Sequence, residues 1–399
     1  MSKQGRRLAL IALAGVLALV SAAAGLGAGT KPSGKSPILI GSIMSITGAI
    51  ASIGIQEKNG FELAIREANA AGGIDGQKID WKLYDPALDS AQCVSLTRRL
   101  TENDNAKVIV GGGASSGCAL AMEQVLTPRN YFFSSPEASP LITDPVSSNP
   151  TTFQMTARST TVVERLLQYA KSKGVTTVGV IGDTGAYGQS GVTAAQGLAD
   201  KFGLTVKTAS MSATSSDVTP QLRDLSSSNP GAYIIWTALP IGVIAIKGAH
   251  DLGLDKKAMI MTSHSYANVT FMKQTGDAGK GVYVPVVNAT VYKQVLATLK
   301  QPAKGILQAF ANLYKKRFGQ DIAIYSAQSY DAMNLAIRAL RLTHGNTDGL
   351  TLTRAIEKAG TFVGVMGVHN FSASDHYGYA PSNIRISRWS GSGWILQKG

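Results

Sequence analysis

Short hydrophobic runs alternate along the chain with longer segments in which apolar residues recur every three or four positions. The run at 38–43 has the length and β-branched character of a strand. The segment after it carries a one-sided helical stripe, formed by Phe61, Ala64, Ile65 and Ala68. Further strands are predicted at 79–84, 108–110 and 131–134. Because strands and helices alternate, we expect a parallel sheet with helices on both faces.

The pattern begins again after Arg158. Thr161 and Glu164 have the spacing of a capping box at the start of the next helix. Further strands are predicted at 177–181, 205–210, 232–237 and 258–262. Similar loops follow a strand in each half, Thr47-Gly48-Ala49 in one and Thr184-Gly185-Ala186 in the other. We therefore predict two similar α/β domains that face each other.

The last third of the chain indicates that the backbone crosses between the two domains more than once. Two strong helices precede a shorter helix at 352–359, and the tail from residue 384 is β-like. Repeated crossings are typical of a hinged two-domain clamp. The predicted boundaries are 37–157 plus 289–362 for an N-terminal lobe and 158–288 plus 363–399 for a C-terminal lobe.

The first residues have the pattern of a secretory signal. A basic start, Lys3 to Arg7, precedes an apolar run at 8–20 and small residues at 21–29. We predict a signal peptide over residues 1–28 and therefore export. An uncleaved membrane anchor is the alternative.

Charge narrows the classes of partner. Three of the 38 basic residues lie in the predicted signal, so the rest of the chain carries 35 basic and 25 acidic residues, a net charge of +10. The charges are scattered, and no basic patch with interleaved aromatic residues occurs, which argues against a nucleic-acid partner. A scattered positive charge suits solubility and a mild attraction for anionic small molecules.

One stretch, KVIVGGGASSGCALAM at 107–122, combines a strand, glycines, serines and a helix. The glycines at 111–113 let a ligand approach the backbone, and Ser115 and Ser116 offer hydroxyl groups. A helix that begins here aims unpaired N–H groups and the positive end of its dipole at the sheet edge. The stretch predicts a small site for a carboxylate or other anion. An ordinary strand-to-helix turn with serine caps is the alternative.

The two cysteines, Cys93 and Cys118, are an even number in a chain predicted to be exported. Right-handed crossovers place the helices after the second and third strands side by side on one face of the sheet. Each cysteine lies on the inward stripe of its helix. We predict a disulfide between them, with two buried free thiols as the alternative.

An esterase and a metal site are the rival chemistries. Residues 113–117 fit G-x-S-x-G, the nucleophile elbow of α/β-hydrolases, with Ser115 as the nucleophile. The restart of the pattern after Arg158 and the lack of an HGGG-like motif argue against an esterase. The histidines have no metal-ligand spacing, and each is interpreted as a surface or loop residue: His250, His264, His344, His369 and His376. We therefore expect no enzymatic activity, no metal and no cofactor.

Several segments together resemble one known family. They are GSIMSITGAIASIGIQEKNGFELAIREANAAGGIDG (41–76), VGGGASSG (110–117), SSPEAS (134–139), GDTGAYGQSG (182–191), SYDAM (329–333) and GVMGVHNFSASDHYG (364–378). In combination they resemble the leucine/isoleucine/valine-binding proteins, the type I periplasmic binding proteins of branched-chain amino acid ABC transporters. The resemblance covers essentially the whole chain after the signal. It implies two Rossmann-like α/β domains joined by a multi-strand hinge with three crossings, and a ligand held in the cleft.

The resemblance also implies which residues contact the ligand. In the family, the serine loop before the third helix holds the ligand carboxylate, and a tyrosine of the AYG loop packs on the ligand. The implied set in this sequence is Ile53, Ser115, Ser116, Glu137, Ala138, Ser139, Tyr187, Trp236, Thr237 and His264. The implied partners are a small organic acid or amino acid and the permease subunits of an ABC transporter, and the protein itself is expected to be a monomer. A ligand-sensing module is the alternative.

His264 stands where the branched-chain members of the family have a glutamate for the ammonium group of the ligand. A histidine is mostly neutral at pH 7 and is a poor substitute for a fixed anion. Because an unpaired ammonium group is costly to bury, we predict an aromatic or other organic acid without one. Two alternatives leave an amino acid open: Glu137 could turn inward and supply the charge, or the alignment that puts His264 at the glutamate position could be off by one or two residues. His264 could also merely cap the following helix.

Overall fold

The computed structural model describes residues 35–398. The signal peptide predicted over residues 1–28 therefore lies outside the described part of the chain. Within residues 35–398, no helix has both the length and the apolarity that a membrane crossing requires.

Strands and helices alternate through most of the described chain, as the sequence predicts. The helices are α1 (Ala51–Ala70), α2 (Ser90–Arg98), α3 (Ser116–Leu126), α4 (Ser159–Ser172), α5 (Ala186–Phe202), α6 (Thr219–Ser226), α7 (Ile241–Asp251), α8 (Val269–Gln274), α9 (Tyr292–Val295), α10 (Ala303–Phe318), α11 (Ile324–Leu342) and α12 (Gly349–Ala359). The strands are β1 (Ile38–Ile43), β2 (Ile79–Tyr84), β3 (Val108–Val110), β4 (Phe132–Ser135), β5 (Thr152–Gln154), β6 (Thr177–Asp183), β7 (Thr205–Met211), β8 (Ala232–Trp236), β9 (Met259–Thr262), β10 (Tyr283–Val286), β11 (Thr361–Val363), β12 (Val368–Asn370), β13 (Arg385–Trp389) and β14 (Trp394–Leu396).

The first sheet has the strand order β2-β1-β3-β4-β5, and all of its strands are parallel. The register pairs Ile40 of β1 with Trp81 on one side and with Val108 on the other. Parallel strands end at the same edge of a sheet, so the loops after β1, β3 and β4 meet there. This edge supplies one wall of the candidate site.

The second sheet has the order β14-β13-β10-β9-β8-β6-β7. Its strands from β10 to β7 are parallel, whereas β13 runs antiparallel to both β10 and β14. The loops after β6, β8 and β9 leave from its carboxyl edge and supply the opposite wall of the site. A short antiparallel pair, β11 and β12, lies outside both sheets.

The core of the first sheet forms where the sequence places apolar residues. The helical stripe predicted after β1 is buried, with exposures of 7% or less for Phe61, Ala64, Ile65 and Ala68. It lies on α1, which packs along α11, and α11 in turn packs on β3 and β4. Because this packing fixes the register of both helices, their N-terminal turns are held at the carboxyl edge of the sheet.

Several details of the sequence prediction are wrong. The prediction missed β5, which has only three residues, and β10, which contains Pro285 and lacks a regular alternation. The predicted capping box also fails. Helix α4 begins at Ser159 with Arg158 as its N-cap, and the Thr161 hydroxyl accepts a hydrogen bond from Tyr377 Oη at 2.8 Å instead.

Three of the histidines interpreted as surface or loop residues are buried. His264 is 4% exposed, His369 0% and His376 1%. The backbone N–H of Gln154, in β5, donates to the carbonyl oxygen of His376 at 3.1 Å. The segment around His376 therefore lies beside the first sheet. The lobe boundaries stay a prediction.

Cys93 of α2 and Cys118 of α3 form a disulfide in the structure. Both cysteines are buried, and the two helices pack side by side. Gly113 lies directly over the bridge with φ at +68°, and a Cβ there would lie 2.2 Å from Cys118 Sγ. The bridge thus ties the start of α3 to α2, next to the glycine turn.

We expect the disulfide to stabilise the protein by about 3 kcal/mol, because it closes a loop of 25 residues and restricts the unfolded chain. Reduction, or the double substitution Cys93→Ser and Cys118→Ser, should lower the free energy of unfolding by about that amount in urea titrations. A thiol assay on denatured, unreduced protein should find no free thiol. Two free thiols in that assay would rule out the bridge.

Candidate ligand-binding site

A cavity of about 280 Å³ lies between the loops at the carboxyl edges of the two sheets. Most of the predicted contact residues line it: Ile53, Ser115, Ser116, Glu137, Ala138, Tyr187 and His264. The remaining predicted residues, Ser139, Trp236 and Thr237, are buried but do not line the cavity. The structure therefore gathers seven of the ten predicted residues around one space, and the other three lie behind the walls.

The first turn of α3 opens into this cavity. Ser115 is the N-cap residue, with φ −154° and ψ 129°, and its hydroxyl makes no capping hydrogen bond. The N–H groups of the first turn have no partner within the helix, and the helix dipole adds partial positive charge there. Since Ser115, Ser116 and Gly117 all line the cavity, this turn offers a free hydroxyl and backbone donors to an anion.

The Ser116 hydroxyl, unlike that of Ser115, makes a hydrogen bond within the protein. It accepts a hydrogen bond from the backbone N–H of Ser139 at 3.1 Å. The Gln154 side chain donates to the carbonyl oxygens of Glu137 at 2.6 Å and Ser139 at 3.0 Å. These bonds fix the 136–139 loop against α3 and place Ser139 behind the wall while Glu137 and Ala138 face the cavity.

Two buried carboxyl groups lie at the floor of the site. Glu137 lines the cavity, and Glu57 of α1 lies behind it with 0% exposure. Gln328 Nε2 donates to Glu57 at 2.9 Å, and Thr156 Oγ1 donates to Gln328 at 2.7 Å. One oxygen of each carboxyl group, Glu57 Oε2 and Glu137 Oε1, has no hydrogen-bond partner.

Burial controls the charge of this pair. It raises the pKa of Glu57 to about 8, against a lowering effect of the hydrogen bond from Gln328. Burial and the nearby charge of Glu57 raise the pKa of Glu137 well above its ordinary value, although backbone N–H groups at Ser115 and Ala114 act in the opposite direction. At neutral pH the pair therefore retains protons and does not present two negative charges to the cavity.

The opposite wall carries a hydrogen-bonded chain. Ser265 Oγ donates to Tyr187 Oη at 3.0 Å, and Tyr187 Oη lies 3.1 Å from His264 Nδ1. The tyrosine hydroxyl and the imidazole share one hydrogen bond, whose direction is set by the imidazole tautomer. Burial lowers the pKa of His264 to about 3, so the ring is neutral. His264 therefore supplies no charge of either sign to the cavity.

Trp236 supports this wall from behind. Its indole N–H donates to the carbonyl oxygen of Tyr187 at 3.0 Å, and the two ring centroids lie 5.3 Å apart. The Thr237 hydroxyl accepts from the backbone N–H of Leu239 at 3.0 Å and holds the loop after β8. Trp236 and Thr237 therefore position lining residues without reaching the cavity themselves.

Asp183, Tyr325 and Gln328 also line the cavity, and sequence reasoning missed them. Asp183 ends β6, and its carboxylate accepts from the backbone N–H of Gly185 at 2.8 Å. Burial raises the pKa of Asp183, although a hydrogen bond from Thr237 lowers it. A polar residue at the carboxyl end of a parallel strand was a signal that could have identified Asp183.

Tyr325 connects the two walls. It lies on α11, which packs on the first sheet, and its hydroxyl donates to the carbonyl oxygen of Ser265 at 3.0 Å. Ser265 follows β9 of the second sheet, so this bond crosses the cleft. Neither Tyr325 nor Gln328 had a sequence signal, because both lie on the buried face of a helix where polar residues form no motif.

The esterase alternative finds no support in this geometry. Within residues 35–398, Ser115 has no hydrogen bond to a histidine, and the Nδ1 atom of the cavity histidine, His264, is engaged by Tyr187. No three His, Cys, Asp or Glu side chains in the described chain are grouped as a metal ion would require. The groups around the cavity can bind a ligand, but they do not form a nucleophile and its base.

Comparison with known proteins identifies the family. A family model described as "Periplasmic binding protein" matches residues 37–393. Among curated proteins, the Leu/Ile/Val-binding protein BraC3 of Rhizobium johnstonii is 26% identical over 346 residues, covering 80% of this chain and 90% of that protein. This chain therefore belongs to the periplasmic binding protein family, and the resemblance to the Leu/Ile/Val-binding proteins is confirmed.

Solved structures confirm the predicted fold, that of a type I periplasmic binding protein with two lobes. LivJ of Streptococcus pneumoniae, in complex with isoleucine, superposes with a TM-score of 0.76 at 20% identity, covering 91% of this chain and 100% of that one. A solute-binding protein of an ABC transporter from Rhodopseudomonas palustris BisB5, in complex with 3,4-dihydroxybenzoic acid, gives a TM-score of 0.75 at 21% identity, covering 91% and 96%. All three of these relatives are binding proteins.

The neutral, buried His264 predicts a specific dependence of stability on pH. Its folded pKa is near 3 and its unfolded pKa is about 6.5, so below about pH 6.5 only the unfolded state takes up the proton. The free energy of unfolding should therefore fall, relative to His264→Gln, by about 1 kcal/mol per pH unit between about pH 6 and pH 5. Urea unfolding of both proteins measures the difference. A difference that stays constant with pH would contradict the assignment of a neutral, buried ring.

Proposed function

We propose that this protein is the substrate-binding component of an ABC importer, exported to the periplasm, where it captures a small carboxylate-bearing ligand between its lobes and delivers it to the permease subunits. It acts in this proposal as a monomer and not as an enzyme. The observation that carries the proposal is the first turn of α3, where Ser115 is the N-cap residue but leaves its hydroxyl free toward the cavity. The family to which the chain belongs supports the transport role.

Closure of the lobes is the proposed capture step. The hydrogen bond from Tyr325 to the Ser265 carbonyl links the two walls, and both residues line the cavity. A ligand held between Ser115 on one wall and Tyr187 on the other contacts both lobes at once. Such a ligand favours the closed form because it has contacts there that the open form lacks.

For the ligand class, we favour an aromatic or other organic acid without an ammonium group. His264 is neutral, Glu137 has a raised pKa, and the described lining contains no lysine or arginine. In such a cavity the helix N-terminus attracts a carboxylate, and burial raises the pKa of both acidic lining residues, Glu137 and Asp183, which disfavours the anions that an ammonium group needs. The cavity volume suits a ligand of one ring, for which Tyr187 offers an aromatic contact. The related fold that holds 3,4-dihydroxybenzoic acid supports this choice by analogy.

An α-amino acid is the second candidate, and Glu137 is the observation that favours it. Its carboxyl group lines the cavity and retains an unpaired oxygen. Ionised Glu137 would pair with an ammonium group, but the buried carboxyl must then lose its proton when the ligand binds. The names of the curated relatives point in the same direction.

The Ser115 hydroxyl can be tested directly. Ser115→Ala should weaken binding of the native ligand by about 1–3 kcal/mol, because a hydrogen bond to a charged carboxylate is lost. Isothermal calorimetry measures the change. Ser95→Ala, at an exposed position of α2, is the matched control and should bind as the wild type does. An unchanged affinity in Ser115→Ala would remove this hydroxyl from the site.

The ligand class can be decided by titrating leucine and benzoate-type acids into the wild type and His264→Glu. The wild type should bind a benzoate-type acid and not leucine. His264→Glu should weaken acid binding at least about tenfold, because a second negative charge then faces the ligand carboxylate. Tight leucine binding by the wild type, with no response to any aromatic acid, would establish the amino-acid alternative.

The same titrations give opposite pH trends for the two ligand classes. The affinity for an organic anion should fall between about pH 6 and pH 9, because the Glu57–Glu137 pair loses protons over that range and becomes negative. The affinity for leucine should rise over the same range. Glu57→Gln keeps the shape of the side chain, removes the group whose pKa is about 8 and should flatten either trend.

A further inference from the structure

A buried arginine, Arg158, lies behind the wall of the site that carries Glu137. It is the N-cap of α4, at the point where the chain has left β5 of the first sheet. Its side chain is only 9% exposed, and it does not line the cavity. An arginine is rarely buried to this extent unless its charge is paired and its N–H groups are bonded. The proposed function gives this residue no part.

The guanidinium group of Arg158 binds three acceptors. Nη1 donates to Asp144 Oδ2 at 2.6 Å, and Nη2 donates to Thr143 Oγ1 at 2.7 Å. Nε donates to Gln154 Oε1 at 3.0 Å. The Tyr377 ring covers the group, with 3.8 Å between the guanidinium carbon and the ring centroid. A planar guanidinium holds its donors in fixed directions, which the single ammonium of a lysine does not reproduce. Arg158 therefore fixes where its three acceptors lie relative to one another.

This bonding determines which way the buried Gln154 amide points. Its Oε1 accepts from Arg158 Nε and also from Thr143 Oγ1 at 3.3 Å. The oxygen end of the amide is thereby held, and Nε2 is directed to the carbonyl oxygens of Glu137 and Ser139. If the amide rotated by half a turn, its oxygen would face two carbonyl oxygens, and none of the three could donate. The guanidinium therefore excludes the orientation that would drive this loop away.

Residues on both sides of Arg158 hold the loop at 137–139. Gln154 donates to the first and the third of its carbonyl groups. The backbone N–H of Ser159 donates to the second, that of Ala138, at 2.8 Å. The first two residues of the loop line the cavity, so the position of this wall depends on the bonds from residues 154 and 159.

We infer that Arg158 is a positioning residue of the ligand site, which acts through Gln154 to hold Glu137 and Ala138 at the cavity. The inference rests on the proposed function, because it takes this cavity as the ligand site. Arg158 does not contact the ligand in this arrangement, and its effect on affinity comes from the place that it gives the loop. A purely structural role, in which the buried guanidinium stabilises only the fold, would leave the affinity of the folded protein unchanged.

The first experiment is hydrogen exchange of the ligand-free protein, followed by NMR. Arg158→Lys keeps the positive charge but loses the donors that orient Gln154. The amides of Ser139 and Ser159, whose hydrogen bonds hold the loop, should exchange about tenfold faster than in the wild type. Amides of α10 should be accelerated less, because the change is local. Acceleration of all these amides by the same factor would indicate a global loss of stability and would overturn the inference.

The second experiment is a double-mutant cycle of affinity, measured by calorimetry with benzoate and with leucine. Arg158→Lys and Gln154→Met should each weaken binding about tenfold, and the double variant should bind no more weakly than either single variant. Arg317→Lys is the matched control, because that exposed arginine pairs with Glu62 at 2.7 Å, and it should bind as the wild type does. Arg158→Gln takes the place of Arg158→Lys if the latter does not fold.

Additive effects in the cycle would overturn the inference, because Arg158 would then not act through Gln154. Wild-type affinity in a folded Arg158 variant, or unchanged exchange at Ser139 and Ser159, would also overturn it. If neither Arg158 variant folds, the inference is rejected, because the residue is then required for the fold itself. A wild type that binds neither benzoate nor leucine counts against the proposed ligand classes, and the exchange rates still decide whether Arg158 positions the loop.

Discussion

The direction in which α3 begins is the constraint on which the first wall of the site depends. The glycine turn after β3 brings the helix start to the sheet edge, and the disulfide holds α3 against α2 beside that turn. A Cβ at Gly112 would lie 2.3 Å from Glu137 Cγ, so the same turn leaves space for the side chain of the neighbouring loop. Because Ser115 caps the helix with its backbone geometry alone, the hydroxyl and the first-turn donors remain free.

Because Glu57 and Glu137 are buried, their ionisation depends on the charge of the ligand that occupies the cavity. Glu57 and Glu137 come from α1 and from the loop after β4, and Gln328 of α11 orients Glu57 through a bond that continues to Thr156. Each carboxyl group is disfavoured as an anion by desolvation, and ionisation of one disfavours ionisation of the other. A ligand that brings a negative charge stabilises the protonated pair, and a ligand that brings a positive charge draws a proton out. Ligand specificity and proton binding are therefore one linked equilibrium.

Local patterns in the sequence predicted the parts of this site that local structure creates. A strand, glycines and serines predicted the start of α3, whereas Tyr187 and His264 were implied by the family resemblance and line the cavity from loops at strand ends. The sequence could not reveal Tyr325, because helix packing brings its side chain to the cleft. The family resemblance implied Trp236 as a ligand contact, but in the structure its indole N–H donates to the Tyr187 carbonyl oxygen from behind the wall. Residues that line the cavity and residues behind its walls are of the same types. Only the packing of the folded chain decides which of them reach the cavity.

The hydrogen bond from Tyr325 to Ser265 crosses the cleft, and both residues line the cavity. This bond requires the lobes to be close together, and so does any ligand that contacts both walls. The bond and the ligand therefore favour the same closed arrangement. The contribution of closure to affinity is limited by the free energy that separates the open and closed forms, because a protein already closed has no further population to shift.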